Sequence, residues 1–272
     1  MSREDYWNTQ YYQYWRRRTA EANSGAKQSE LVKGDRTTVG DIVVEQQLAI
    51  LEIGDDDKVL DLGCGYGRLF PILSRKTSEI FGTDISASMI SEARKAYGNV
   101  ICDLRVEEAE KSSYPDAFFD RIVCWGVFDA TNQVAAISEI IRLLRCGGVV
   151  LLTGKNTRYE VSDSEALIAE ENARLKGHPN CFTDYRCLRE QLLAHGVKIR
   201  EEKFFLRRGD FSANRFTLDR PERFYEYLLV FEKTDCDDRT AFAPFSSICS
   251  VTWTDIRGQV DHRDGGISSE SL

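Results

Sequence analysis

The chain has 272 residues, of which 42% are hydrophobic and 29% are charged, as expected for a folded globular protein rather than a disordered one. The formal net charge of -8 disfavours nucleic acid as a partner, because a surface that follows phosphates needs clustered lysine and arginine. No apolar run approaches the ~18 residues that cross a membrane, and the N-terminus does not resemble a secretory signal, so we expect a cytoplasmic protein without a membrane partner.

The first fifty residues are predicted to be helical and accessory. Aromatic residues recur at helical spacing within a helix predicted at 5–19, so their rings share one face; they are Trp7, Tyr11, Tyr14 and Trp15. Residues 23–34 are predicted to form a loop. A second helix is predicted at 38–52, with Ile42, Leu48 and Leu51 turned inward.

From residue 57 the pattern changes to strands that alternate with helices. The predicted strands are 58–62, 79–84, 99–103, 121–125 and 149–153. The predicted helices are 68–76, 86–97 and 131–145. Ser86 is expected to be the N-cap of the second of these helices, and Gly147 and Gly148 to stop the third. Such alternation indicates a parallel sheet with helices on both faces.

After residue 153 this regular alternation ends. The capping-box pattern S-D-S-E at residues 162–165 predicts an inserted helix at 162–176. A further helix is predicted at 183–194, followed by strands at 197–205 and 224–233. We therefore divide the chain into an N-terminal helical segment at 1–53, a main domain at 54–234 with an insertion at about 160–180, and a partly mobile extension at 235–272.

The eight cysteines include no C-x-x-C pair. This spacing disfavours a bound metal and favours reduced thiols, as expected in the cytoplasm. Cys102 and Cys124 fall in or beside predicted buried strands.

A glycine-rich turn follows the first predicted strand, in V-L-D-L-G-C-G-Y-G at residues 59–67. Bare backbone at such a turn lets a ligand approach closely. The spacing G-x-G-x-G differs from the dinucleotide pattern G-x-G-x-x-G, and Asp61 would repel a diphosphate but attract an ammonium group. An amino acid joined to a nucleoside therefore fits, although the glycines could instead serve only a tight turn.

A second acid ends the next predicted strand, in E-I-F-G-T-D at residues 79–84. A carboxylate at this place can accept hydrogen bonds from both hydroxyl groups of a ribose. Alternatively, Asp84 caps the helix that follows.

With these motifs, residues 59–153 resemble the class I S-adenosylmethionine-dependent methyltransferases. The resemblance implies a Rossmann-like fold with a mostly parallel seven-stranded sheet and an antiparallel last strand. It also implies S-adenosyl-L-methionine as cofactor and S-adenosyl-L-homocysteine as product. Three departures from the family pattern stand out: Cys146 replaces a usual proline, Glu108 replaces aspartate, and Asp129 lies where the small-molecule branch often has histidine.

The resemblance also assigns residues to the cofactor. The glycine turn and the second strand would contribute Asp61, Gly63, Cys64, Gly65, Gly67, Asp84 and Ile85. The segment E-A-E at 108–110 resembles the family's D-A-E and places Glu108 and Ala109 near the adenine. The motif F-F-D-R-I-V-C-W-G-V-F at 118–128 places Cys124 and Trp125 along the cofactor edge.

The aromatic N-terminal helix is a candidate lid over cofactor and substrate, with Tyr11 toward the cofactor and Tyr14 toward the reacting groups. Its rings could equally only dock the helix on the core. Arg16, Arg17 and Arg18 could bind an anionic group or form a solvated charge run.

A hydroxyl acceptor needs a base for its proton, and the candidates are His178 and Asp129. His178 lies between the fifth predicted strand and the next helix, and this segment borders the carboxyl ends of the strands, where open α/β sheets bind ligands. His195 is expected to be structural, and His262 lies in the tail.

The favoured function is methyl transfer to oxygen or nitrogen of a small molecule, such as a sugar or a specialised metabolite. The alternatives are a regulatory subunit that binds the cofactor without turnover, and a protein methyltransferase. An oxidoreductase is disfavoured by the glycine spacing and by Asp61. A monomer and a homodimer both remain open.

Overall fold

A computed structural model describes residues 2–16, 41–236 and 241–249. The predicted loop at 23–34, Arg17, Arg18, His262 and the end of the extension lie outside the described residues. Within the described ranges, no helix combines the length and the apolar character needed to cross a bilayer.

The N-terminal helix, α1, begins at Arg3–Asp5, continues as a π-helical turn over Tyr6–Tyr11 and stays helical through residues 12–16. The later helices are α2 (Asp41–Leu48, extended by a 3-10 turn at Ala49–Leu51), α3 (Phe70–Leu73), α4 (Ala87–Tyr97), α5 (Gln133–Leu143), α6 (Ser164–Leu175) and α7 (Tyr185–Ala194). The strands are β1 (Val59–Leu62), β2 (Ile80–Asp84), β3 (Asp103–Val106), β4 (Phe119–Cys124), β5 (Leu144–Lys155), β6 (Cys181–Thr183), β7 (Val197–Phe205), β8 (Glu226–Lys233) and β9 (Ser246–Cys249).

Seven strands form one sheet in the order β3-β2-β1-β4-β5-β8-β7. Neighbours from β3 to β5 are parallel, whereas β8 runs antiparallel to both β5 and β7. This confirms the predicted Rossmann-like sheet and its antiparallel last strand. Every residue of β1 is buried, as expected when helices cover both faces of a parallel sheet.

Two apolar clusters form the main cores of the protein. One contains Ile137 and Ile140 of α5 with Leu188 of α7, and the other contains Val44 of α2 with Ile90 of α4. All five side chains are at most 1% exposed. Because parallel strands point the same way, the cores leave their carboxyl ends open at one edge, where ligands bind in such sheets.

Several predicted helix boundaries are wrong for local reasons. The helix expected at 68–76 is only the short α3, because turns closed by Gly67 N–H to Cys64 O and Phe70 N–H to Gly67 O occupy the chain before it. The inserted helix is capped by Asp163, whose side chain accepts from Ala166 N–H, one residue later than the capping-box pattern indicates.

The glycines at 147 and 148 do not stop α5. Leu144 ends that helix with extended backbone angles, and β5 begins at Leu144 and runs through both glycines. Thr183, predicted to begin a helix, lies instead in β6, and α7 is capped by Asp184. Ser86 is the N-cap of α4 as predicted, accepting from Met89 N–H.

Ile42 was expected to face inward but is 75% exposed. The buried positions of this segment are Val44, Leu48 and Leu51. These three residues are spaced by four and three positions and therefore share one side of the helix. Ile42 lies two positions before Val44 and faces a different side. The predictions for Leu48 and Leu51 are confirmed.

The expectation of reduced thiols is wrong at Cys146 and Cys236, which form a disulfide. Cys181 is also disulfide-bonded. Cys102 is exposed rather than buried, while Cys124 is a buried free thiol. The disulfide joins the start of β5 to the residues after β8, so it fastens the beginning of the C-terminal extension to the sheet.

The C-terminal extension also packs onto the main domain. Phe242 and Phe245 are buried, and Phe242 stacks on His195 at a centroid distance of 4.1 Å. Strand β9 then pairs antiparallel with β6, a contact that the sequence did not indicate. The three-part division of the chain itself stays a prediction.

Candidate active site

The glycine turn lies at the carboxyl end of β1 and has three left-handed residues. Gly63, Gly65 and Gly67 have φ values of 77°, 54° and 85°, which side chains other than hydrogen tolerate poorly. A methyl group on Gly63 would lie 2.4 Å from Val127 Cγ2, and one on Gly67 would lie 2.4 Å from Phe70 Cδ2. A methyl group on Gly65 would meet nothing within 4 Å. Packing therefore requires two of these glycines, and the third faces open space.

Asp61 is a buried acid on β1 with an unsatisfied oxygen. The residue is 2% exposed, and its Oδ2 has no hydrogen-bond partner in the described part of the chain. Burial, together with the nearby charge of Asp84, raises the pKa of Asp61 to about 8. An isolated buried carboxylate is costly, so this site fits a ligand that brings a positive ammonium group.

Asp84 ends the neighbouring strand β2. Its Oδ2 accepts from Gly65 N–H and its Oδ1 from Ser86 N–H, both at 2.8 Å. Burial raises the pKa of Asp84, and these two hydrogen bonds and Arg3 offset part of that rise. Each carboxylate oxygen keeps further acceptor capacity, so Asp84 can still accept from two ligand hydroxyls. Two acids around an open glycine turn fit a zwitterionic nucleoside such as S-adenosylmethionine.

The residues predicted to flank the adenine lie just beyond β2 and β3. Ile85 and Glu108 are partly buried and Ala109 is buried. Glu108 forms an isolated bridge with Lys111, which closes a tight turn around Ala109. Their roles toward the cofactor remain predictions.

The cysteines assigned to the site are buried thiols. Burial raises the pKa of Cys64 and of Cys124, so both stay protonated and serve as packing groups rather than nucleophiles. Trp125 follows Cys124 at the end of β4 and packs against Phe211 with ring centroids 5.3 Å apart.

The Gly65→Ala variant is expected to fold but to bind S-adenosylhomocysteine about 10–100-fold more weakly. The new methyl group would occupy space that the bound ligand needs, and such overpacking costs about 1–3 kcal/mol. Gly147→Ala is the matched control, because Gly147 also has a positive φ of 74° and open space around its Cβ. Both variants carry the same left-handed strain of about 1–2 kcal/mol.

Calorimetric titration and thermal unfolding of both variants would check this prediction. Equal melting temperatures with a loss of affinity at Gly65 alone would support it. Unchanged affinity in Gly65→Ala would show that the ligand does not lie against this turn.

The helix α1 lies across the carboxyl edge of the sheet. Its Asn8 accepts from Ser86 Oγ at 3.0 Å and from Ser88 N–H at 3.1 Å. Trp15 stacks on Tyr66 of the glycine turn at 4.4 Å. The same helix thus contacts the glycine turn, which follows Asp61 on β1, and the start of α4, which follows Asp84 at the end of β2.

A partly buried ion pair anchors the other end of α1. Arg3 pairs with Glu110, whose Oε1 also accepts from Asn132 N–H at 2.7 Å. The side chains of Arg3 and Glu110 are 15% and 10% exposed. Arg16, by contrast, is exposed and lies 5.8 Å from the Tyr12 ring centre.

The π-helical turn at Tyr6–Tyr11 changes which rings of α1 face inward. Residues i and i+5 would be ~140° apart around an α-helix of 3.6 residues per turn, but wider turns with i→i+5 bonds bring them to one side. Tyr6 and Tyr11 accordingly both lie near His178, with centroid distances of 5.5 and 6.3 Å. Desolvation by burial, with Tyr14 nearby, raises the pKa of both tyrosines to about 12.

His178 lies in the loop after α6 and reaches this aromatic group. Tyr6 OH and His178 Nδ1 are 2.7 Å apart, and the ring centroids of Trp7 and His178 are 5.4 Å apart in a T-shaped arrangement. Burial lowers the pKa of His178, an effect that Asp129 opposes and Lys155 reinforces. The imidazole is therefore neutral near pH 7 and able to accept a proton.

A charged cluster lies beside it at the carboxyl end of β5. Lys155 Nζ is 3.4 Å from Asp129 Oδ2 and 3.1 Å from Glu170 Oε1. Glu226 faces Lys155 in the register between β5 and β8, and burial raises the pKa of Glu226 to about 7. Asp129 is thus held in an ion pair with Lys155.

The predicted catalytic residues therefore fall into two groups. His178 and Tyr14 lie with the rings of α1, where Tyr14 is 6.0 Å from Tyr11, and Asp129 lies in the Lys155 cluster. Sequence reasoning did not single out Lys155, Glu170 or Glu226. The only local signal for Lys155 is a charge at the end of a long apolar strand, in T-G-K at 153–155. In the described ranges, no group of three or more histidine, cysteine or acidic residues could hold a metal.

Residues 60–152 match the family model described as a methyltransferase domain. This match covers β1 through most of β5 and therefore the glycine turn and both acids. This match and the sheet order show that residues 60–152 form a methyltransferase domain, within a fold like that of the class I S-adenosylmethionine-dependent methyltransferases.

The chain is similar to a ubiquinone/menaquinone biosynthesis C-methyltransferase, UbiE, of Chromobacterium violaceum, with 37% identity over 98 residues. That alignment covers 34% of this chain and 40% of the relative, so the chain spans well under half of the relative's length. Among solved structures, YcgJ of Bacillus subtilis superposes with a TM-score of 0.55 at 17% identity, over 72% of this chain and all of that one.

A geranyl diphosphate C-methyltransferase from Streptomyces coelicolor, solved with S-adenosylhomocysteine, superposes with a TM-score of 0.56 at 14% identity. The match covers 71% of this chain and 77% of that one. At such identities the structural matches establish the fold, and function has to be argued from the site itself.

Proposed function

We propose that this protein transfers a methyl group from S-adenosylmethionine to an oxygen or nitrogen atom of a small molecule, such as a sugar or a specialised metabolite. The observation that carries the proposal is the pair of acids around the open glycine turn: Asp61, which is buried with an unsatisfied oxygen, and Asp84, which is partly buried. When bound, the sulfonium supplies an activated methyl group. Asp61 would accept from the ammonium group and Asp84 from the ribose hydroxyls.

The remaining site residues would orient the cofactor, cover it together with the acceptor, and remove a proton from the acceptor. Ile85, Glu108, Ala109, Cys124 and Trp125 would line the adenosine. The helix α1, with Tyr11 and Tyr14, would close over cofactor and acceptor and exclude water, which strengthens the electrostatic interactions beneath it. Alignment of acceptor and methyl group can supply about 7–11 kcal/mol, so modest acid–base assistance suffices.

His178 would take the proton that the acceptor releases. The bound cofactor would supply the methyl group, and its sulfur would keep the electrons of the carbon–sulfur bond. The proton of the acceptor hydroxyl or amine passes to the imidazole. Asp129, which is held in its ion pair with Lys155, would stabilise the resulting imidazolium through its negative charge.

The test is calorimetry with S-adenosylhomocysteine, followed by transfer of labelled methyl from S-adenosylmethionine into a metabolite extract and, separately, into a protein extract. We expect binding, and label in the small-molecule fraction. Label in protein would favour a protein methyltransferase, and binding without transfer a regulatory subunit. Absence of binding would overturn the proposal, and the Gly65→Ala variant should weaken binding and, at limiting S-adenosylmethionine, slow the transfer.

A further inference from the structure

A polar contact between α1 and the inserted segment joins a hydroxyl to an imidazole. Tyr6 OH lies 2.7 Å from His178 Nδ1, although the two residues are 172 positions apart. The rings meet edge to face with centroids 5.5 Å apart. Tyr6 is only 8% exposed, so packing holds its hydroxyl in this place.

We propose that Tyr6 is a positioning residue whose hydroxyl oxygen accepts the Nδ1–H of His178 and thereby keeps the imidazole lone pair on Nε2 while α1 is docked. This inference rests on the proposed function, in which His178 takes the acceptor's proton. A neutral imidazole carries one hydrogen and one lone pair on its two nitrogens. Whichever nitrogen bonds Tyr6 therefore sets what the other can do.

The docking of α1 links this tautomer to the cofactor site. The π-helical turn that carries Tyr6 also carries Asn8, which bonds Ser86 and Ser88 at the start of α4. A few residues later, Trp15 stacks on Tyr66 of the glycine turn. A movement that lifts α1 from the cofactor side thus also removes Tyr6 from His178, so the base is set only under a closed helix.

The direction of one pKa change tests the assignment. If Tyr6 accepts, it bonds the protonated imidazole more strongly than the neutral one, and its hydroxyl favours the charged form. If Tyr6 donates, protonation of Nδ1 breaks the bond, and its hydroxyl favours the neutral form. Removing the hydroxyl therefore moves the pKa of His178 down in the first case and up in the second.

Other groups act on the imidazole and must stay constant. From the elements packed around it, these include Trp7 and Tyr11 of α1, Asp129 after β4, Lys155 of β5, Glu170 of α6 and Lys176 beside it. Tyr6→Phe keeps the ring and changes none of these groups. Tyr12→Phe is the matched control, because Tyr12 lies on the same helix as Tyr6 but its hydroxyl bonds Glu92 of α4, at 3.4 Å, rather than His178.

The experiment is an NMR pH titration of ¹⁵N-histidine-labelled full-length chain, in which only three histidines contribute signals. We expect the parent to show the Nδ1–H tautomer at His178. Tyr6→Phe should lower the pKa of His178 by about 0.5–1, the difference between bonding a charged and a neutral donor. Tyr12→Phe should leave it unchanged, and His195 serves as the internal reference.

A raised pKa, or the Nε2–H tautomer in the parent, would overturn the inference, because Tyr6 would then donate and Nε2 would carry the hydrogen. An unchanged pKa and tautomer would reduce Tyr6 to a packing residue and overturn it as well. Calorimetry with S-adenosylhomocysteine on the same samples separates this result from the proposed function. A parent that fails to bind refutes that function, whatever Tyr6 does.

Discussion

The Asp61→Asn variant should bind S-adenosylhomocysteine at least ~30-fold more weakly than the parent and yet unfold at a higher temperature. The affinity falls because truncating one partner of a buried charge pair costs about 2–5 kcal/mol. The stability rises because the ligand-free parent buries an acid beside Asp84 with an unsatisfied oxygen. A gain of about 1–2 kcal/mol corresponds to roughly 3–6 °C in a chain of this size.

The pH dependence of this gain follows from the direction of the pKa change. The folded-state pKa of Asp61 is about 8, above its ordinary value of 3.8. Its protonated form therefore favours folding, and that contribution is lost as pH rises from about 4 through about 8. The asparagine side chain of the variant does not titrate, so its advantage in melting temperature should be small at pH 5 and grow toward pH 8.5.

Ligand binding should be linked to the same proton. An ammonium group favours ionised Asp61, so the parent should release a proton on binding near pH 7 and bind more tightly as pH rises toward 8. Calorimetry in two buffers of different ionisation enthalpy measures that proton, and Asp61→Asn should not release it. Asp55→Asn, at an exposed acid near the same strand, is the control. Equal binding by parent and Asp61→Asn would contradict the cofactor assignment.

The parts of this site that are local in sequence could be predicted. Asp61 lies one residue before the end of β1 and Asp84 ends the adjacent β2. The glycines directly follow β1, so strand periodicity and turn composition were enough to place them. Ser86 followed in the same way from its position before α4. In each case a short segment fixes its own conformation and the sheet order then sets the neighbours.

The parts that depend on distant pairing could not be predicted. Glu226 meets Lys155 only because β8 inserts antiparallel beside β5 with a particular register. Tyr6 meets His178 because α1 folds back over the sheet and contains a π-helical turn, which has no clear sequence signal. The disulfide between Cys146 and Cys236 likewise needs Cα atoms 5.4 Å apart across 90 positions. Spacing along the chain carries no information on such distances.

The wrong inward assignment of Ile42 has a different origin. The segment 38–52 contains more apolar positions than one helix face can bury, so composition alone did not select between Ile42 and Val44. The packing partners of α2, which include Phe70 and Leu73, decide that Val44, Leu48 and Leu51 face inward. Tertiary context thus overrides a pattern that is locally ambiguous.

Replacement of His178 by glutamine should lower kcat by about 10²–10⁴-fold, the usual contribution of a positioned general base. Glutamine can still bond Tyr6 but cannot take a proton. Affinity for S-adenosylhomocysteine should not change, since Asp61 and Asp84 are untouched. In the parent, kcat should fall as pH drops through the pKa of His178, which burial holds below its ordinary value. The variant should lack that fall, because the group that titrates is gone.

The measurement is kcat against pH with the acceptor found in the labelled-methyl assay. His195→Gln is the matched control, because His195 is 9% exposed, directly follows α7 and stacks on Phe242 of the C-terminal extension. That variant should melt at a lower temperature because the stacking on Phe242 is lost, but its kcat should depend on pH as in the parent. If His178→Gln kept both kcat and the acidic fall, the proton would leave by another route. The carboxyl of Glu226, with a pKa near 7, would then be the group that titrates.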